Sequence, residues 1–390
     1  MDFAYPAEVE HFRAELREWL SANLTDELVA ARRPADRDHT AFEMLRGWSR
    51  TMADAGWAAV SWPPEYGGRG ATVLEQLVYT EETPRARAPL PLNIIGLNNI
   101  APAIMQYGTE SQKLTLLPRM MRADDIWCQG MSEPEAGSDL ASLRTRAVRD
   151  GDDFVVNGQK IWTSLGHQAQ WCQLYVRTDP DAPKHQGISC LIVDMKLPGI
   201  EARPLVTLNG DADFAEVFFH DVRVPADALL GPLNAGWQVA TGSLGHERAM
   251  LWMDYADMLH GLTVDFSPSG VLQRDHYATL VMDCHALRLM GSAALSKAAR
   301  GEEDVSAHSV LKLLGSEAMQ RACEDALNAE GPDGLVLRAV TAPFAPLNLD
   351  SHYSSWFDRY TRTFAATIAG GTSEIQRNII AQRVLGLPRN

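Results

Sequence analysis

The sequence predicts an α+β protein of three domains in the order helical, β, helical, and three observations predict it. Apolar residues recur at helical spacing from Pro6 to about residue 122. Beyond Asp125, and to about residue 231, the chain changes to short β-branched and aromatic runs parted by Gly, Pro and Asp. From Gly236 the helical period returns. The expected division is an N-terminal helical domain over 1–122, a middle β-domain (barrel or sandwich) over 123–235, and a C-terminal bundle of four-helix type over 236–390. At 390 residues the chain is long enough for two or three domains with large cores.

In the first domain, Val9, Phe12, Leu16, Trp19 and Leu20 mark one face of a helix that Pro6 is placed to start. A second helix fits 40–55 and ends at Gly56, after which AAVSWPPEYGGRG reads as an irregular connection. Helical spacing resumes over 72–82, 93–106 and 109–121, where Thr109 and Pro118 punctuate the pattern. The strand candidates are FVVNGQKIW, WCQLYVRT, ISCLIVDM and AEVFFHDVRV. Asn157-Gly158, between two apolar runs, predicts a hairpin turn. The bundle is expected from helices over 237–264, 271–299, 306–329, 354–365 and 373–385, broken by FSPSG at 266–270 and a proline-rich stretch at 341–348.

Composition removes several function classes. A formal charge of −15 argues against nucleic acid or an anionic membrane as the main partner. No apolar run reaches the roughly 18 residues of a membrane span. The opening MDFAYPAEVEHFRAEL is acidic and amphipathic, unlike a signal or transit peptide. The five cysteines lack CxxC spacing, which predicts reduced thiols in a cytoplasmic protein. No metal is expected, since HExxH and Cys/His clusters are missing. Neither GxGxxG opening a helix, nor a Walker loop, nor GxSxG is present. A bound organic cofactor remains as the source of difficult chemistry.

One stretch carries that expectation. WCQGMSEPEAGSD at 127–139 is dense in turn formers and small hydroxyls, and NGQKIWTS at 157–164 ends in a large aromatic plate. Ser132, Ser138, Ser164 and Trp162 together suit a flat ligand that accepts and donates hydrogen bonds. SEPEAGSD followed by NGQKIWTS resembles the flavin-facing signature of the acyl-CoA dehydrogenase family. FHDVRVPADALLG at 219–231, LGHER at 244–248 and IAGGTSEIQRNIIAQRVLGLPR at 368–389 agree in order and spacing, so the resemblance spans nearly the whole chain.

The resemblance implies the three-domain acyl-CoA dehydrogenase fold, FAD as cofactor, and α,β-dehydrogenation of an acyl-CoA to the trans-2-enoyl-CoA. It implies that Met131 and Ser132 meet the pyrimidine end of the flavin, that Ser164 lies near N5, and that Trp162 backs the ring. Ser138 falls near flavin and thioester, and Thr372 and Glu374 at a helix start that touches FAD. The Gly370 N–H matches a donor to the thioester oxygen. Many members carry the catalytic base as the Glu of a YEGT segment; here the segment reads Ala369-Gly370-Gly371-Thr372. A subset supplies it from the helix opening the last domain, which makes Glu247 the candidate, with His246 as the alternative and Arg248 at the edge of the substrate site. The small residues at 369 and 370 leave room for a bulky, branched or steroid-derived acyl group, as in actinobacterial catabolic members. An electron-transferring flavoprotein is the implied electron acceptor.

Two segments depart from the family. The arginine of RxxFG, expected near 260–272, is missing from HGLTVDFSPSGVLQR, and the adenine-side motif survives only as NAEGPDG at 328–334. Both reach a neighbouring subunit's flavin in the family. A homo-oligomer with altered contacts and a hetero-oligomer with a homologous chain (dimer or tetramer) both stay open. So do a flavin monooxygenase or oxidase on the same fold, and a subunit that mainly completes a partner's FAD site.

Overall fold

The computed structural model describes residues 5–31, 39–208, 212–298, 300–302, 305–335 and 355–388, with the side chains of 30–31, 39–41, 243–254, 257, 298 and 305–306 excepted. Among the described residues six α-helices come first: α1 (Ala7–Asn23), α2 (Asp26–Ala31), α3 (His39–Asp54), α4 (Val73–Arg85), α5 (Ala101–Tyr107) and α6 (Glu110–Met121). The expected periodicity is the buried face of α1, where Val9, Phe12, Leu16 and Leu20 pack with Trp48, Trp57, Val78 and Leu117. Thr72 with Glu75 and Thr109 with Gln112 form capping boxes that start α4 and α6. Pro118 lies inside α6, within the helix expected over 109–121. The helical bond it removes is that of Leu114, whose side chain is on the exposed side. One expectation in this domain needs correction. The helix expected over 93–106 is split into a π-helical turn, Gly96–Ile100, and α5, where Pro102 has no N–H to continue the ladder.

Seven strands follow: β1 (Trp127–Gly130), β2 (Arg146–Asp150), β3 (Asp153–Ser164), β4 (Trp171–Arg177), β5 (Ile188–Asp194), β6 (Ile200–Leu205) and β7 (Phe214–Pro225). They form one sheet in the order β1-β4-β2-β3-β7-β6, with β5 on β4. The sheet curls around Cys128, Phe154, Val156, Leu174, Leu191, Val217 and Phe219. The apolar runs of β4 and β5 reflect burial on both faces. Leu174, Val176, Leu191 and Val193 point into the sheet's own core, while Tyr175, Ile188, Cys190 and Ile192 pack against the N-terminal helices. Asn93 ties the same two layers: its amide donates to the Met120 and Asp125 carbonyls and accepts from the Trp127 N–H at 2.9 Å.

Asn157-Gly158 is not a hairpin turn. The turn lies at 151–152, between β2 and β3, and Asn157-Gly158 sits within the continuous β3 opposite a bulge in β7, where His220 and Asp221 face Asn157. Gly158 has φ +153°, and a Cβ there would sit 2.6 Å from Thr145 Cα. Asn157 is engaged across the bulge: its amide donates to Asp221 at 2.9 Å and its carbonyl accepts the Asp221 N–H at 3.0 Å.

The C-terminal bundle holds α7 (Gly236–Asp265), α8 (Val271–Ala298), α9 (Val305–Glu330), α10 (Trp356–Ile368) and α11 (Ser373–Ile379). α11 runs into a π-helical turn, Ile380–Val384, so the single helix expected over 373–385 is divided. Ser355 and Asp358 cap α10. Leu259, Leu280, Leu287, Leu311, Met319 and Ala366 build the bundle core, and Gly315 lets α9 approach Tyr255 of α7 to a distance no Cβ would allow. The proline-rich 341–348 lies outside the described residues. No helix of the described residues is long and apolar enough to cross a membrane.

Candidate active site

The end of β3 and the loop after β1 meet edge to edge. The Ile161 N–H donates to the Ser132 carbonyl at 3.0 Å, and the Lys160 ammonium donates to the Met131 carbonyl at 3.0 Å. Met131 and Ser132 therefore face β3 through their carbonyls. No described residue takes the hydroxyl of Ser132, Ser138 or Ser164, so those groups are open to a ligand.

Lys160 holds this edge from beneath. It has no exposed surface, and its ammonium also lies 2.9 Å from Glu133 Oε1. Glu133 in turn accepts the Arg144 N–H at 2.6 Å and the Thr145 N–H at 2.8 Å. Burial lowers the Lys160 pKa in spite of Glu133. For Glu133, burial acts upward, but Lys160 and the backbone donors outweigh it and hold the carboxyl below its ordinary value. Neither residue was singled out from sequence. A signal was present: Lys160 stands in the same strand and on the same alternation as buried Phe154 and Val156.

A second register shift, between Lys160 and Thr163, re-aims Trp162. Its φ is +58°, a left-handed conformation that a bulky residue adopts only when held there, and the ring is 58% exposed. Phe214 meets it edge-on at a centroid distance of 5.9 Å. Leu165 is also left-handed, at φ +59°, and its N–H donates to the Asp213 carbonyl at 2.9 Å. A large aromatic plate is thus displayed beside open hydroxyls by strained backbone.

Asp213 carries this edge to the bundle, since its carboxylate pairs with buried Arg362 of α10 at 3.4 Å. α7 and α10 run antiparallel: Arg359 pairs with Asp265 at 3.0 Å, and the Tyr255 hydroxyl donates to the Ala366 carbonyl at 3.4 Å. Glu247, His246 and Arg248 belong to α7, but their side chains lie outside the described residues. Gly370 and Gly371 have φ +66° and +96°. The Gly370 N–H donates to no other described residue. Thr372 caps α11, accepting the Ile375 N–H at 3.2 Å, and Glu374 is exposed beside Arg377. Ser138 is exposed on its loop, next to Asp139, which Lys184 and Ser142 hold below the ordinary carboxylate value.

A chain of helical, sheet and helical parts, with this strained edge between sheet and bundle, matches three family models. They are the acyl-CoA dehydrogenase N-terminal domain over residues 6–124, the middle domain over 128–222 and the C-terminal domain over 269–385. The chain belongs to the acyl-CoA dehydrogenase family. It is 40% identical over 397 residues to acyl-CoA dehydrogenase IpdE1 of Mycobacterium tuberculosis, covering 98% of each chain. It is 36% identical over 413 residues to FadE26 of the same organism, covering 100% of this chain and 99% of the relative. Among solved structures it resembles the Tcur3481-Tcur3483 steroid ACAD, at 32% identity and a TM-score of 0.82, covering 100% of both chains. The ChsE4-ChsE5 complex from M. tuberculosis follows at 34% identity and a TM-score of 0.81, again covering 100% of both.

Proposed function

We propose that this enzyme dehydrogenates an acyl-CoA thioester between Cα and Cβ with FAD and releases the trans-2-enoyl-CoA. The observation that carries the reading is the displayed edge of Ser132, Trp162 and Ser164. A strained aromatic plate beside hydroxyls that no described residue takes fits an isoalloxazine ring, with Met131, Ser132, Ser138, Trp162, Ser164, Thr372 and Glu374 holding FAD. Bound there, FAD supplies the hydride acceptor. The chain's own groups do the rest. Glu247 takes the α proton. The Gly370 N–H, aimed at the thioester oxygen, stabilises the charge that develops on it, an effect typically worth about 10²–10³ in rate. Ser138 and Arg248 border the substrate. The domains of this reading are 1–122, 123–235 and 236–390.

The acyl group proposed is bulky, branched or steroid-derived, because Ala369, Gly370 and Gly371 leave the base position of YEGT-type members without a side chain. The steroid ACAD among the structural relatives supports it. Anaerobic mixing of the assembled, flavin-loaded enzyme with a steroid side-chain acyl-CoA tests the assignment. Wild type should bleach the flavin absorbance, and Glu247→Gln should slow bleaching and α-proton exchange by roughly 10²-fold or more. Near-wild-type rates in Glu247→Gln would remove Glu247 as the base.

A hetero-oligomer is favoured over a self-sufficient assembly by one observation. Both degraded cross-subunit segments are engaged within this chain, Asp265 by Arg359 and the turn Gly331–Leu335 through buried Gly334 against Leu327. The structural relatives described as pairs of chains agree. Electrons would leave to an electron-transferring flavoprotein. Purified alone, the chain should then carry little flavin in its visible spectrum, and full occupancy per protomer would sink the idea.

A further inference from the structure

We propose that Lys312 and Gln376 are positioning residues that aim the Gly370 N–H, an assignment that rests on the dehydrogenase reading above. Two consecutive glycines in left-handed conformation form the least constrained backbone a chain can have. A donor aimed at a developing oxyanion must nevertheless be fixed to about 0.5 Å. Something has to hold the 369–372 turn, and two buried side chains converge on it. Lys312 of α9, 1% exposed, donates from its ammonium to the Gly371 carbonyl at 2.8 Å. Gln376 of α11, with no exposed surface, donates from its amide to the Gly370 carbonyl at 3.0 Å and the Gly371 carbonyl at 3.3 Å.

The two carbonyls are thereby drawn toward α9 and α11, and the preceding Gly370 N–H is left without a described partner. The fit is tight, since a Cβ on Gly371 would stand 2.7 Å from the Gln376 amide nitrogen. Lys312 is not an isolated intrusion into the core. Ser309, Lys312 and Ser316 form a buried polar stripe on α9 at helical spacing, and the Ser316 hydroxyl donates back to the Lys312 carbonyl at 2.8 Å.

Lys312→Met keeps most of the side-chain length and Gln376→Leu about the volume while removing the donors, and Lys312→Arg keeps a cation. Hydrogen exchange on the purified protein, with no substrate, should speed up about tenfold in the peptide covering 369–379 of both variants and stay unchanged in α8. In turnover with a steroid side-chain acyl-CoA, kcat should fall by about 10²-fold with KM within about threefold, because the loss falls on the transition state. Lys312→Arg should recover part of kcat. Should Lys312→Met fail to fold, Gln376→Leu carries both measurements. Unchanged exchange in the 369–379 peptide overturns the proposal, and so does faster exchange with kcat intact. If wild type, assembled with its partner chain and loaded with flavin, dehydrogenates no acyl-CoA ester, the underlying reading fails instead, while the exchange result still tells whether the two side chains hold the turn.

Discussion

Lys160→Met tests the clamp beneath the proposed flavin edge. Methionine keeps the length and packing of the stem, which lies close enough to Gly130 that a Cβ there would stand 3.4 Å from Lys160 Cγ. What disappears is an ammonium with no exposed surface, 3.0 Å from the Met131 carbonyl and 2.9 Å from Glu133. Glu133 would keep two backbone donors and lose its only buried countercharge among the described residues. Removing one partner of a buried pair typically destabilises by about 3–5 kcal/mol. Glu133→Gln should cost a similar amount, since it strands the ammonium. The double variant strands neither charge, so its loss should fall short of the sum by at least about 1 kcal/mol. Urea unfolding followed by circular dichroism gives all three values. Losses that add within about 0.3 kcal/mol, or single losses below about 1 kcal/mol, would refute the clamp. The pH dependence has a definite sign. The folded Lys160 pKa lies below the ordinary value of about 10.4, so across that window the unfolded chain binds the proton more fully and stability rises with pH. The Glu133 contribution is full above about pH 4.3 and is lost as pH falls through its lowered folded value. Lys160→Met should flatten the alkaline limb and Glu133→Gln the acid one.

Two further outcomes follow from backbone geometry. Trp162→Gly removes an exposed ring and relieves a left-handed bulky residue, so urea stability should stay within about 1 kcal/mol of wild type or rise. Flavin content in the visible spectrum of the assembled enzyme should nonetheless fall at least tenfold; undiminished content would refute the role of the plate. Gly158→Ala brings a methyl to 2.6 Å from a backbone atom of Thr145, a clash no rotamer relieves. It should destabilise by about 2–3 kcal/mol in the same unfolding assay, and a neutral result would mean the bulge opens freely.

Much of the fold was legible because local chemistry and burial agree. The α1 stripe, the Thr109 cap and the strand runs each name their own element, and the runs of β4 and β5 stay apolar because two cores claim them. Legibility fails at the proposed site, and in one direction. Asn157-Gly158 has the chemistry of a turn but stays within β3 opposite a bulge in β7, because Asp221 and Thr145, distant in sequence, fit that geometry. Lys160 breaks an apolar strand, Trp162 occupies a conformation its own side chain disfavours, and Gly370-Gly371 interrupts a helical pattern. Each departure is compensated by a partner that sequence spacing alone does not reveal: Glu133 for Lys160, Phe214 for Trp162, Lys312 and Gln376 for the glycine pair. Motif resemblance could name Ser132, Trp162, Ser164 and Gly370, since it compares positions. It could not name the residues that hold them, since those are recognised only by distance. Left-handed backbone also occurs at Arg87, Ala123, Asp221 and Asn234, but at Trp162 it displays a large exposed ring, and backbone held against its own preference by buried partners is what a site needs when it must display a flat ring and aim a backbone N–H. The cluster of broken local rules is therefore itself an argument for where the chemistry lies.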